Sequence, residues 1–159
     1  MTLMPMDHSH RPFVRGKVAG EWGSCKSVAR GGRVTEDVSV LPGFVVTENG
    51  DILAFVLYQI VNGECEVTAL DSFAEGRGYG SALMAAVEEA ARATGCGRVW
   101  LSASNDNAHA IRFYQKRGYV LLEVNLGAFA EYRKLKPELP ITGNDGIPLR
   151  DEFIFAKDL

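Results

Sequence analysis

Residues 75–84 read EGRGYGSALM and residues 105–119 read NDNAHAIRFYQKRGY, and the fold is decided between these two stretches. In the first, Gly76, Gly78 and Gly80 stand between an apolar run and a helical pattern. Glycine lets a backbone approach a ligand closely and leaves amide N–H groups free to point outward. A helix opening there adds its own unpaired N–H groups and the positive end of its dipole. Together these make a site for a diphosphate. In the second stretch Asn107 opens a short helical pattern, and Tyr114 follows seven residues later on the same face. A phosphate cradle, a strand and then an Asn/Tyr helix is a more specific combination than any one piece.

Both stretches resemble the signatures of the GNAT superfamily of acetyl-coenzyme A-dependent N-acetyltransferases. The family's phosphate signature, Gln/Arg-x-x-Gly-x-Gly/Ala, falls on Glu75-Gly76-Arg77-Gly78-Tyr79-Gly80. Its later signature, Asn-x-x-Ala-x-x-x-Tyr-x-Lys-x-Gly-Phe, falls on Asn107, Ala110, Tyr114, Lys116, Gly118 and Tyr119. The resemblance is strong from Glu64 to Leu122, the motif core, and weaker on either side. Residues 123–159 form a variable C-terminal connection and a last strand. Glu75 departs from the family pattern, where Gln or Arg is usual.

Composition narrows the function classes. A chain of 159 residues is most simply one domain with a real core. Its 47% hydrophobic and 23% charged content is that of an ordinary globular protein. The formal net charge of -3 argues against a nucleic-acid partner, which needs a basic face. No run approaches the roughly 20 apolar residues that span a bilayer, and the N-terminus lacks a signal-peptide core. Cys25, Cys65 and Cys96 are odd in number and widely spaced, which fits reduced thiols and a cytoplasmic location. His8 and His10 alone make no metal site, so no metal is expected.

The chain reads as α+β. The first dozen residues are a frayed end or a short edge strand, and residues 10–22 a helix capped by Asp7 or Ser9. Residues 30–42 read as a loop. Three strands follow in hairpin order: 43–49, 52–61 and 64–73, joined by Asn49-Gly50-Asp51 and Asn62-Gly63. A helix over 81–94 ends at Gly95. Residues 98–104 read as a buried strand parallel to the third. The Asn107–Arg117 helix and a strand over 119–125 come next. The long connection to a last strand, 150–156, holds a helix over 128–136.

Acetyl transfer to an amine sets chemical requirements. An alkylamine must lose its proton, at a cost of about 4–5 kcal/mol at pH 7. The developing oxyanion needs a donor, and the leaving thiolate a proton. The resemblance implies that acetyl-coenzyme A lies in a V-shaped opening between two splayed parallel strands, near Leu70 and Val99. It puts the diphosphate on the loop from Gly76 to Ser81, with Arg77, Gly78, Tyr79 and Gly80 between. Leu70 and Ser72 hold the pantetheine by backbone pairing, Ala110 lies at a motif position, and Tyr114 protonates the sulfur. Asn107 either bonds the pantetheine arm or caps its helix.

Counting back from the glycine loop makes Glu66 a candidate base, with Glu64 on the same strand parity and Asp71 on the opposite one. A water relay stays open beside it. In the family the first helix and the connection before the last strand border the acceptor, which implicates Trp22, Phe129, Tyr132, Asp151 and Glu152.

The reading is therefore direct transfer from acetyl-coenzyme A to a primary amine of a small molecule or protein. The alternatives are a non-catalytic acyl-coenzyme A sensor or interaction module, and a structural domain whose glycines serve packing. The spacing G-x-G-x-G is not the dinucleotide fingerprint G-x-G-x-x-G. Exposed edge strands leave room for a homodimer.

Overall fold

A computed structural model describes residues 1–74 and 76–159, so the expectation for Glu75 lies outside the described residues. β1 (Thr2–Pro5) leads through a 3-10 turn at His8–His10 into α1 (Arg11–Trp22). Asp7 caps that turn: its carboxylate accepts from the Ser9 amide, and His10 reaches back to the Asp7 amide at 3.0 Å. Val14 and Val18 bury one face of α1, and Gly23 ends it in the left-handed conformation. β2 (Ser27–Ala29) and β3 (Arg33–Thr35) pair with each other in a separate two-stranded sheet. β3 falls within the segment expected as a loop, and β2 just before it. Strands of three residues are too short for an alternating pattern to register in the sequence.

The main sheet holds β4 (Gly43–Glu48), β5 (Asp51–Val61), β6 (Glu64–Ser72), β7 (Arg98–Ser104), β8 (Val120–Asn125) and β9 (Glu152–Asp158), with β1 at one edge. The order is β1-β4-β5-β6-β7-β9-β8. Both Asn-Gly turns have positive φ at their two central residues, as the twist-matching hairpin turn requires. α2 (Tyr79–Ala93) returns the chain from β6 to β7, and this makes β6–β7 the parallel pair of an otherwise antiparallel sheet. α3 (Ala108–Lys116) and α4 (Ala128–Leu135) are the remaining α-helices, and no helix among the described residues is long and apolar enough to cross a membrane. The chain is thus a mixed α+β fold with a parallel pair at its centre, as expected.

Two cores lie on opposite faces of the sheet. Leu83, Met84, Val87 and Ala91 of α2 pack on Val56, Cys65, Val67, Val99 and Leu101. Val14 and Val18 of α1 pack on Val45, Phe55, Leu57 and Ala69. Each such side chain contributes about 1.5–3 kcal/mol of burial.

Two irregularities between these cores shape the centre. In the β5–β6 ladder Leu57 pairs with Ala69 but Tyr58 with Val67, so Thr68 is an extra residue on β6, a β-bulge. In the β6–β7 ladder pairing runs only from Glu64↔Arg98 to Val67↔Leu101. Thr68–Ser72 then have no partner on β7, which stays paired with β9 along its other edge from Arg98 to Ser104. The strands part after Val67 and Leu101. Val99, expected at the opening, is fully buried in the paired portion opposite Cys65.

The C-terminal elements are tied by one carboxylate. Glu152 at the start of β9 is 0% exposed and accepts from four donors. These are the Arg30 amide at 2.9 Å, Ser102 Oγ at 2.6 Å, Asn125 Nδ2 at 2.9 Å and Tyr132 O–H at 2.6 Å. The β2–β3 loop, β7, β8 and α4 thus converge on one group. Replacing it leaves those donors buried without an acceptor. Glu152→Ala should therefore cost about 3–5 kcal/mol in chemical unfolding, well beyond an exposed Glu131→Ala control; a loss under about 1 kcal/mol would remove Glu152 from the framework.

Candidate active site

Where β6 parts from β7, cavities open on both faces of the sheet. The cavity on the α2 side has a volume of about 530 Å³. Of the expected cofactor residues, Leu70, Ser72, Gly76, Gly78, Tyr79, Gly80, Ser81, Asn107, Ala110 and Tyr114 all line it. Arg77 does not: it is exposed, with its guanidinium 3.6 Å from the Glu48 carboxylate.

The geometry of the loop follows from its glycines. Gly78 is the N-cap of α2 with φ +75°, a conformation L side chains resist, and no side chain caps the helix. The first turn's amides have no intrahelical acceptor and face the cavity with the positive end of the dipole. Gly80 has a different reason to lack a side chain: a Cβ there would meet the Phe113 ring at 3.0 Å. That close contact sets α2 against α3.

Asn107 is the N-cap of α3, its side-chain oxygen accepting from the Ala110 amide at 3.1 Å. The capping alternative therefore holds, and the same side chain lines the cavity. Tyr114 packs edge-on against Phe113 and Tyr119, at 5.2 and 5.9 Å between centroids. Burial pushes its phenol well above the ordinary tyrosine value, against a smaller opposing effect of the Arg117 charge, so it carries its proton.

Arg117 was missed by the sequence reading, although it stands one helical turn after Phe113. Its guanidinium lies 3.5 Å from the Phe113 ring centroid and donates to Ser81 Oγ at 2.7 Å and to the Phe113 carbonyl at 2.8 Å. It thereby fixes a positive charge beside the first turn of α2, in the cavity wall.

The second cavity, about 500 Å³, lies on the α1 side. Trp22, Phe129 and Glu66 line it, together with Glu21, Thr68, Ser102 and Lys136. Glu66 is 4% exposed and its Oε1 accepts both from Arg33, as an ion pair, and from Gln59 Nε2 at 2.8 Å. Tyr132, Asp151 and Glu152 do not line this cavity. Tyr132 and Glu152 bond to each other in the buried knot, and Asp151 accepts the Gly127 amide at 2.8 Å at the start of α4. The physical reason is their bonding: these side chains are engaged in tying α4 to the start of β9.

The bulge also alters which face Asp71 takes. Cross-strand partners share a face, so the shift from Tyr58↔Val67 to Leu57↔Ala69 puts Ala69 and Asp71 on the face of Glu66. The expected opposite parity of Asp71 and Glu66 is thus corrected. Thr68 Oγ1 and Asp71 Oδ2 are both buried without a hydrogen-bond partner among the described residues.

Comparison with known proteins agrees with this architecture. The protein YdhI of Bacillus subtilis (strain 168) is 38% identical over 158 residues, covering 99% of this chain and 98% of its own. A GNAT family acetyltransferase from Elizabethkingia anophelis, with acetyl-CoA bound, superposes with a TM-score of 0.72 at 14% identity, covering 99% and 97% of the two chains. A Bacillus subtilis acetyltransferase in complex with CoA gives a TM-score of 0.68 at 14% identity, with the same coverage. Residues 20–119, from the end of α1 through the Asn/Tyr helix, match the Acetyltransferase (GNAT) family, and the chain belongs to that family.

Proposed function

We propose that the protein transfers an acetyl group from acetyl-coenzyme A to a primary amine by direct attack in a ternary complex. The observation that supports this most is the cavity at the parting of β6 and β7. It unites the uncapped first turn of α2, the Arg117 guanidinium and the protonated Tyr114 on one wall. The solved relatives that carry acetyl-CoA or CoA support the choice of cofactor.

In this reading the diphosphate sits on the amides of Tyr79, Gly80 and Ser81, with Arg117 supplying the charge that Arg77 does not. The pantetheine runs along the unpaired edge of β6 at Leu70 and Ser72, whose backbone groups have no partner on β7. Asn107 and Ala110 border its path. The thioester reaches the parting of the strands, where an amide of the bulged β6 meets the oxyanion. Tyr114 donates its proton to the departing thiolate. The acceptor enters through the second cavity, past Trp22 and Phe129. Glu66 is held by Arg33 and Gln59, and its ion pair makes it a framework group before a base. None of the three free cysteines lines either cavity, which favours direct attack over an acetyl-enzyme.

Thermal unfolding with excess acetyl-coenzyme A tests the binding half. At 100 times Kd a ligand of the folded state stabilises by about 2.7 kcal/mol, a rise of roughly 5–10 °C for a chain of this size. Adenosine diphosphate or NAD at the same concentration should give much less; no shift with acetyl-coenzyme A would reject the cofactor assignment.

Two substitutions separate binding from chemistry. Gly78→Val should leave a folded protein whose acetyl-coenzyme A affinity falls at least about 100-fold by calorimetry, because a branched side chain resists positive φ and distorts the amide cradle. Unchanged affinity would take the diphosphate off this loop. Tyr114→Phe should lower kcat about 100-fold with little change in cofactor affinity, and undiminished turnover would end the acid role.

A further inference from the structure

On the face of the sheet that carries Glu66, the β6 bulge turns Asp71 toward α1, and Glu21 stands in the last turn of that helix. The two carboxyl groups lie within hydrogen-bonding reach. Asp71 Oδ2 is buried and has no donor among the described residues. Two carboxylates cannot bond to each other without a proton between them, so the contact of Asp71 with Glu21 calls for a shared proton or an incoming cation.

The pair also spans the parting of the strands. Asp71 lines the cavity on the α2 side and Glu21 the one on the α1 side. Between them Thr68 Oγ1, likewise buried and without a partner, lines the α1-side cavity. The other charged groups nearby are accounted for. Lys17 of α1 holds its ammonium over the Phe13 and Phe73 rings at 5.5 and 4.7 Å, and only weakly offsets the pair. Glu66 of β6 is tied to Arg33. Lys136 Nζ donates to the Lys26 carbonyl at 2.6 Å, and Lys26 Nζ to the Leu135 carbonyl at 2.6 Å. Glu138, also in the α1-side cavity, is held low by a hydrogen bond from Ser24. On the opposite wall His109 and Arg117 line the α2-side cavity.

We propose that Asp71, with Glu21 as its proton-sharing partner, is the base that takes the proton from a cationic alkylamine acceptor at the junction of the two cavities. This rests on the acetyltransferase reading above and adds to it an acceptor class and a base. The alkylammonium gives one proton to the pair, which passes from dianion to proton-sharing monoanion. The freed nitrogen lone pair forms the C–N bond to the thioester carbonyl, and the C–S bond breaks. The thiolate takes the Tyr114 proton, and the second N–H proton of the attacking nitrogen restores the phenol. The pair then releases its proton to solvent.

The titration of the pair suits this work. Burial first, then the bond to Asp71 and its charge, push Glu21 up to about 7. Glu21 thus holds the shared proton below about pH 7 and leaves the pair open to receive one above it. It also couples to stability: a carboxyl raised in the folded chain stabilises it fully below the ordinary value of 4.5, and this is lost as pH rises through about 7.

The test uses the full chain, its Asp71→Asn and Glu21→Gln variants, acetyl-coenzyme A, and two probe acceptors: 1,4-diaminobutane, cationic at neutral pH, and aniline, neutral there. Carboxyl-carbon NMR of the wild type should show one group titrating near 7 that returns to the ordinary range in Asp71→Asn. The fall in melting temperature between pH 5 and pH 8 should also be smaller in that variant. Two carboxyls titrating ordinarily in the wild type would overturn the shared proton.

With the diamine, Asp71→Asn should lose about 100-fold or more in kcat/KM while acetyl-coenzyme A affinity and aniline turnover stay near wild type. Glu21→Gln should move the acid limb of the pH profile from about 7 toward the ordinary carboxylate range. Full diamine activity in Asp71→Asn, an unmoved acid limb in Glu21→Gln, or a wild type that acetylates aniline but not the diamine would each overturn the assignment. A wild type that fails to bind acetyl-coenzyme A would instead reject the underlying acetyltransferase reading, by a separate measurement.

Discussion

One extra residue in β6 governs the centre of this molecule. An antiparallel ladder and a parallel one meet on that strand, and a bulge at Thr68 lets the two disagree. Up to Val67 the strand is bonded on both sides; beyond it, the β7 side is open. A parted pair of strands inside a sheet leaves backbone N–H and C=O groups without partners, a cost that a folded chain does not carry without return. Those groups are what an extended ligand needs for main-chain pairing, and the gap lets both faces of the sheet reach one point. α2 and α3 furnish a wall of amides, guanidinium and phenol on one face. α1, the small β2–β3 sheet and α4 furnish a wall of carboxylates and aromatic rings on the other.

The parts of this arrangement that local chemistry dictates were legible in the sequence. Glycines at positive φ, Asn-Gly turns, the Asn cap of α3 and the seven-residue step to Tyr114 each depend on neighbours within a few positions. The helices and main strands accordingly fall within a few residues of their expected bounds. What depends on pairing between distant strands was not legible. The bulge leaves no mark in the residues 64–72, and a parity argument that assumes an unbroken period of two put Asp71 on the wrong face. Arg117 escaped for a similar reason, since its value lies in a contact with Ser81, thirty-six positions away. The small sheet of β2 and β3 is invisible in the sequence because three-residue strands carry no period.

The fate of the buried carboxylates separates framework from chemistry. Glu152 accepts from four donors, and Glu88 from Tyr119 O–H at 2.8 Å and Lys157 Nζ at 3.1 Å. Glu66 is held by Arg33 and Gln59. A buried charge with its lone pairs filled is tolerable, and removing a partner is what destabilises. These three are therefore committed to holding elements together, including Glu66, which the sequence offered as the base, and Glu152, one of its acceptor contacts. Among the described residues two buried carboxyl oxygens have no partner, Asp106 Oδ1 and Asp71 Oδ2; Asp106 is held through its other oxygen by Asn144, whereas the neighbour of Asp71 is another acid.

Asymmetry of this kind has a physical logic. A base must exchange its proton in each turnover, so donors that would hold its carboxylate fixed would also lower its basicity. A like-charged neighbour does the reverse: it raises the basicity of the pair and leaves the orbital that matters unoccupied until a cation arrives. Burial of Asp71 against α1 then makes the end of that helix, through Glu21, part of the electrostatics of the site. A change in how the end of α1 sits on the sheet would alter both the shape of the acceptor cavity, through Trp22, and the proton affinity at its inner end. Acceptor fit and amine deprotonation are in this way coupled through one short stretch of helix, from Lys17 to Trp22.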